Sequence, residues 1–162
     1  MRRTAVLAGS VAIALATAGV LAVTGGAEAP SGTTLSYITK GGVFKFVDAP
    51  PKAKGEQDPS SGDAFLLSTG VYNTAGKRVG SLDAHCSFTR GGQRMRGVCT
   101  GIYDLPDGEI HLSARLSADE TTSGVVVGGS GAYLGARGTF TSVDRPGEAN
   151  GDPSDDTVQL LP

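Results

Sequence analysis

Apolar side chains from residue 33 onward recur at alternate positions rather than at helical spacing, in short runs bounded by Gly, Pro, Asn and Asp. The clearest run sets Ile110, Leu112, Ala114 and Leu116 on one face and Glu109, His111, Ser113 and Arg115 on the other. Read this way, the chain predicts strands over 33–48, 63–73, 78–89, 93–105, 109–117, 122–128, 136–144 and 157–161. Gly41-Gly42 interrupts the first, where a bulge or tight bend is expected. Asn73-Thr74-Ala75-Gly76, Gly91-Gly92 and Pro106-Asp107-Gly108 are the turns, and a short helical turn is expected near Tyr133. The segments 49–62 and 145–153, rich in Pro, Gly and charge, read as exposed loops. The reading is an all-β protein of eight strands joined mostly by hairpins. A closed sheet of that number leaves room for side chains or one small ligand. The 25 glycines and the absence of tryptophan suit a tightly coiled sheet without separating a barrel from a sandwich.

The first 27 residues have a different character. Arg2-Arg3 precede an Ala/Val/Leu/Ile run from Ala5 to Val23, and small residues follow at Gly25 and Ala27, the three parts of a secretory signal peptide. Cleavage after Ala27 leaves residues 28–162 as one exported domain. The alternative is an uncleaved membrane anchor, for which the run is nearly long enough. Loss of Arg2 and Arg3 takes the net charge from −2 to −4. An acidic chain without a basic stripe argues against nucleic acid as a partner, and no membrane contact is expected after signal cleavage.

Export also bears on the cysteines. Cys86 and Cys99 flank Gly91-Gly92, and a hairpin centred just after those glycines sets them opposite each other in an oxidising compartment. A disulfide is therefore expected. Two His and two Cys raise a zinc site by count. His85 and Cys86 are adjacent, however, and project to opposite faces of a strand, so no metal is expected. Gly129-Ser130-Gly131 satisfies neither a nucleophile elbow nor a dinucleotide loop, since the strand-to-helix context of both is missing. Ser87 and Ser113 carry no mark of a hydrolase nucleophile.

If the Pro-Asp-Gly hairpin sets Tyr103 opposite His111, the apolar face of 109–117 falls beside Ile102, Thr100 and Val98. Asp83 and His85 then join that face, giving an apolar chamber with one carboxylate and one imidazole inside. In that arrangement Ile102, Ile110, Leu112 and Ala114 line a ligand, and Asp83 and His85 are candidate proton-transfer groups. A slip of one residue would instead bring Tyr103, His111 and Arg115 inward. The alternative for 78–89 places Leu82, Ala84 and Phe88 in the core, with Asp83 and His85 facing solvent or a subunit contact.

The stretch Val125 to Phe140 resembles the Gly-Gly-Thr/Ser-Gly-x-Tyr/Phe-x-x-Ala-Arg-Gly pattern of dirigent proteins, and its first half is similar to allene oxide cyclases. Further likenesses to a bacterial exported branch of that barrel superfamily are Gly62-Asp63, Gly76-Lys77-x-Val79-Gly80, the two cysteines, and Tyr103-x-Leu105-Pro106-Asp107-Gly108-x-Ile110. The resemblance, which spans about 35–143, implies an eight-stranded antiparallel up-and-down β-barrel rather than a sandwich. It implies an apolar or aromatic small molecule as partner, no cofactor, and a homotrimer as the assembly. By position it assigns Arg137 to the arginine that in dirigent proteins projects toward the cavity; the alternative pairs Arg137 with a surface carboxylate. The acidic residue that dirigent proteins often carry before the double glycine is missing here, and the cyclases' glutamate and asparagine pattern is not recognisable. Two readings remain: a barrel that steers cofactor-free cyclisation or coupling with help from Arg137, Asp83, His85 and Tyr103, or a noncatalytic ligand-binding or cell-envelope interaction module on the same barrel.

Overall fold

A computed structural model describes residues 32–50, 59–118, 121–145 and 153–162. The predicted signal peptide lies outside the described residues, as do most of the segments 49–62 and 145–153 expected to be loops. Eight strands run in chain order: β1 (Thr33–Val47), β2 (Ala64–Tyr72), β3 (Arg78–Arg90), β4 (Arg96–Leu105), β5 (Gly108–Ser117), β6 (Thr121–Gly129), β7 (Gly138–Asp144) and β8 (Ser154–Leu160). Each pairs antiparallel with its sequence neighbours, and β8 returns to β1, so the sheet is a closed up-and-down barrel. Closure removes both sheet edges. Two short 3₁₀ turns, Gly92–Arg94 and Gly131–Tyr133, are the only helical pieces among the described residues.

The bulge in β1 falls where the double glycine predicts it. The register shifts between Lys40 and Val43, with Gly41 at φ 65° and Gly42 at φ 118°. A side chain on Gly42 would run into the Ser68 carbonyl, so the conformation and the close strand approach both require glycine. The Thr69 hydroxyl donates to the Gly41 carbonyl at 2.5 Å and ties the bulge to β2.

The β4–β5 hairpin differs from the expected register by one residue, with large consequences. Its turn contains only Pro106 and Asp107; Gly108, at φ 138°, belongs to the ladder and pairs with Leu105. Tyr103 is therefore opposite Ile110, and His111 opposite Ile102. The period of a strand is two, so this single step exchanges the inward and outward sets of β4 and, through the Cys86–Cys99 pairing, of β3. Tyr103, Gly101 and Cys99 face inward with Leu82, Ala84, Cys86 and Phe88, whereas Ile102, Thr100, Val98, Asp83 and His85 face outward. His111 and Arg115 also remain outside, because β5 keeps its apolar face in.

One end of the barrel is filled. Val71, Tyr103, Ile110 and Val158 are fully buried there, packed with Leu105, Leu112, Val126 and Phe140. Tyr133, from the 3₁₀ turn after β6, packs on this cluster, and the turn is tied to the β4–β5 hairpin by the Ala132 amide donating to the Asp107 carbonyl at 2.8 Å. The opposite end is pinned differently. Asp63, with no exposed surface, accepts from the Ala49 amide at 2.9 Å through Oδ1 and from the Ser60 amide at 2.6 Å through Oδ2. Two backbone bonds then hold the 60–63 corner to Phe88. A buried carboxylate spent on backbone amides in this way is structural, since removing it strands donors that water cannot reach.

Cys86 and Cys99 are disulfide-bonded inside the barrel and close a loop of sequence separation 13. Loops of about 15 residues restrict the unfolded chain by about 3 kcal/mol. Denaturant unfolding of the Cys86→Ser, Cys99→Ser double variant is expected to show a loss of about 2–4 kcal/mol with the barrel spectrum retained.

Candidate functional site

The lumen divides into the packed end described above and an open end. Between them lies a cavity of about 250 Å³, lined by Phe44, Phe65, Leu82, Ala114, Leu116 and Phe140 among others. Most of its lining residues, among them Phe44, Phe65, Cys86, Cys99, Leu116, Thr122, Asp144 and Ser154, lie toward the barrel end where β1, β3, β5 and β7 finish and β2, β4, β6 and β8 begin. A cavity of about 150 Å³ takes benzene, and drug-sized pockets run to about 300–1,000 Å³. The space here suits a guest of one or two rings.

Beside Thr39 and Ser142 of the cavity wall, without lining the cavity itself, lies a buried carboxylate. Asp156, only 2% exposed, points inward from β8. It lies opposite Tyr37 of β1 and Ser142 of β7. Its Oδ2 accepts the Tyr103 hydroxyl at 2.5 Å. Its Oδ1 has no hydrogen-bond partner, although the Ser142 and Thr39 hydroxyls, which line the cavity, stand near enough to favour the charged form. Burial dominates and raises the Asp156 carboxyl above the usual carboxylate range; hydrogen bonding from Ser142, Tyr103 and Thr39 opposes it, and the Asp144 charge adds to it. Burial and the Asp156 charge together push the Tyr103 hydroxyl well above the ordinary tyrosine value, so it stays a proton donor. Tyr37 is pushed up to about 12, chiefly by burial and then by Tyr133 and Asp107. Its ring lies 5.7 Å from Tyr103, which in turn meets Phe140 edge-on at 6.2 Å.

Of the residues singled out from the sequence, Tyr103, Ile110, Leu112 and Ala114 face the lumen, with Leu112 and Ala114 lining the cavity and Tyr103 and Ile110 buried beneath it. Asp83, His85 and Ile102 are brought together elsewhere. With Val43, Leu66, His111 and Val127 they border a depression of about 670 Å³ on the outer face of the sheet. His111 contacts Glu109 there at 3.0 Å. The lumen cavity thus excludes Asp83 and His85 and has Tyr103 buried beneath it, the physical reason being the two-residue turn at Pro106-Asp107. Arg137 joins neither. It is exposed in a separate depression of about 390 Å³ at the packed end, beside Leu134 and Leu161, and its carbonyl accepts the Leu161 amide at 2.8 Å.

Asp156 falls between the loop predicted over 145–153 and the strand predicted over 157–161, since Asp is a poor strand former and gives no local strand signal. The signal was present in the alternation of Asp156, Val158 and Leu160 against Asp155, Thr157 and Gln159, with the pattern beginning three residues earlier than expected.

Solved structures with this architecture have small-molecule enzymes among them. A pyocyanin demethylase aligns over 80% of this chain and all of its own, with 22% identity and a TM-score of 0.65. A pterocarpan synthase dirigent protein aligns over 83% and 99%, with 17% identity and a TM-score of 0.59. The chain has the dirigent barrel fold. A Diels-Alderase from Streptomyces koyangensis also superimposes, over 80% of this chain and 64% of its own length, at 11% identity and a TM-score of 0.60. No protein-family model and no curated protein matches the sequence. At these identities the shared property is the dirigent-type barrel itself, and the lumen residues must be argued from their own chemistry.

The raised Asp156 carboxyl fixes the sign of a pH effect. Its folded form holds a proton more tightly than the unfolded chain does, so this group favours folding in acid and opposes it increasingly as pH rises from the ordinary carboxylate range through the folded value. Asp156→Asn keeps an acceptor for Tyr103 and removes the buried charge. Thermal unfolding is expected to give a higher midpoint than wild type at neutral pH, with the difference vanishing below about pH 4.

Proposed function

We propose that the protein is an exported barrel that takes an apolar or aromatic small molecule into the open half of its lumen and steers its reaction by shape. The observation that carries this reading is the cavity of about 250 Å³, walled by Phe44, Phe65, Leu82, Ala114, Leu116 and Phe140 with Thr39, Ser142 and Asp144 among its few polar groups. A mostly apolar hollow with a few polar groups on its wall is the usual composition of a small-molecule site.

The chemistry available is limited and concrete. Holding a flexible guest in a reactive conformation supplies effective molarity worth up to about 7–11 kcal/mol. The Thr39 and Ser142 hydroxyls line the cavity and can hydrogen-bond a guest, while Asp156, buried beside them, accepts the Tyr103 hydroxyl through Oδ2. Asp156 is then a positioning residue that acts on the guest through Thr39 and Ser142. The relatives that share the fold include a demethylase, a dirigent protein and a Diels-Alderase, which supports cyclisation or coupling as a reaction class without selecting one.

Ala114→Leu fills the cavity from β5 without adding polarity. In titrations with small aromatic compounds it is expected to weaken binding by about tenfold or more, a loss of about 1.4 kcal/mol, while unfolding stays cooperative. Equal binding by this variant and the wild type would place the guest outside the lumen and refute the reading.

The outer face supports a second reading, for assembly. Val43 (69% exposed), Val127 (59%) and Ile102 (41%) form an apolar surface bordered by Lys45, Asp83, His85 and His111. Apolar area of this kind, edged by charges of both signs, fits a contact between copies of the chain, and we assign the homotrimer implied by the family resemblance to this face. Native mass spectrometry is expected to show trimers for the wild type and monomers for Val127→Glu; an unchanged assembly in the variant sinks the assignment.

A further inference from the structure

Three of the four tyrosines are linked in series through the packed half of the barrel. Tyr103, fully buried, has its ring centroid 6.2 Å from that of Phe140, which lines the lumen cavity, and 5.7 Å from that of Tyr37. The Tyr37 side chain is hydrogen-bonded to that of Tyr133. Tyr133 in turn borders the outer depression at the packed end, beside Leu134. Rings at these separations are in contact, so the series joins the lumen cavity to the outside of the opposite end. Tyr72, the fourth tyrosine, stands apart from it, with the Lys40 ammonium 4.7 Å from its ring centroid. The chain has no tryptophan, and both cysteines are in the disulfide, which leaves tyrosine as the side chain that gives up one electron most readily.

The surroundings of each ring decide where that electron is lost at least cost. A phenol that loses an electron becomes a strong acid, so the deciding group is the one that receives the hydroxyl proton. For Tyr103 this is the Asp156 carboxylate, 2.5 Å away. Moving the proton across that bond turns a buried carboxylate into a neutral acid and removes the desolvation cost of its charge. For Tyr37 the bonded neighbour is a second phenol, a poor base that would have to carry a positive charge in a half-buried place. For Tyr72 the Lys40 ammonium opposes the positive charge that oxidation develops in the ring.

We infer that Tyr133, Tyr37 and Tyr103 form a one-electron relay, which meets a small radical oxidant at the outer depression and ends on Tyr103 with Asp156 as its proton acceptor. In the net step the radical gains one electron and becomes its anion. Tyr103 supplies that electron through Tyr37 and Tyr133 and passes its phenolic proton to Asp156 Oδ2. A neutral tyrosyl radical is left beside a neutral carboxylic acid. No guest is needed for this step, so the relay is independent of what the cavity binds. Its product stands next to Phe140 of the cavity wall, and an oxidising equivalent taken up outside the barrel is thereby brought to the lumen.

Azide radicals generated by a radiolysis pulse oxidise tyrosine by one electron and test the relay, with the tyrosyl radical followed by transient absorption and electron paramagnetic resonance. Wild type is expected to give a long-lived tyrosyl radical. Asp156→Asn keeps an acceptor for the Tyr103 hydroxyl but no base, and is expected to shorten that lifetime at least about tenfold. Tyr37→Phe is expected to slow the appearance of the radical at least about tenfold and leave its lifetime unchanged. Tyr72→Phe is expected to change neither, and Tyr103→Phe to abolish the long-lived signal. If Tyr103→Phe does not fold, Asp156→Asn and Tyr37→Phe decide the matter, since both keep the Tyr103 ring in the core. A long-lived signal that disappears in Tyr72→Phe, equal lifetimes in wild type and Asp156→Asn, or an unchanged rate of appearance in Tyr37→Phe overturns the inference, as does a wild type that holds no long-lived radical.

Discussion

Closure of the sheet imposes one constraint on which everything else depends: eight strands that pair in a ring must agree on which residues face inward. Side chains alternate across a strand, so the parity of any one hairpin is transmitted to its neighbours through the ladder. In this chain the parity is set at two places that agree, the Cys86–Cys99 bond between β3 and β4 and the Pro106-Asp107 turn between β4 and β5. Gly108 makes the second possible by taking a positive φ within the ladder, where a residue with a side chain would be strained and would meet the Ser130 carbonyl. The glycine cluster after β6 contributes the matching half of this crossing, since Gly131 approaches the Asp107 carbonyl just as closely. The feature most conspicuous in the sequence therefore works at the packed end, as a clamp on the turn that sets the register.

That arrangement explains why the two ends of the barrel differ. The clamp brings Tyr133 onto Ile110, Tyr103 and their neighbours and fills the lumen there. At the other end the strands are joined by long loops, and the corner is held instead by Asp63 and the amides it binds. Tyr103 links the halves, with its ring in the packed cluster and its hydroxyl reaching Asp156. A tyrosine suits this position because one end of its side chain is apolar and the other demands a partner.

Much of the architecture was legible in the residues. Strand number, the β1 bulge, the disulfide and the inward face of β5 follow from alternation, a double glycine and spacing, all of which are local signals. What was not legible depended on a difference of one residue in a turn. Pro-Asp-Gly is compatible with a two-residue or a three-residue connection, and the choice decides whether Asp83 and His85 or Tyr103 enters the barrel. Asp156 was hidden for another reason. Its strand begins with three polar residues after a polar loop, and nothing local marks a carboxylate as buried when its partners, Tyr103 and Thr39, are distant in sequence. The likeness of Arg137 to the dirigent arginine was equally real in sequence, yet the side chain stands at the packed end, where the chain terminus and Leu134 surround it. A motif transmits backbone conformation more faithfully than it transmits a role.

The outward and inward histidine and carboxylate groups also divide the labour of the molecule. His85, His111, Asp83 and Glu109 remain in contact with water on the outer face, where their charges cost little and suit adjustable contact with another protein surface. Asp156 differs from them, a carboxyl kept inside the barrel against the cost of desolvation. Its Oδ2 accepts the Tyr103 hydroxyl, and the Thr39 and Ser142 hydroxyls, which line the cavity, favour its charged form, so this one buried carboxylate couples the cavity wall to the packed cluster and holds both in a single arrangement.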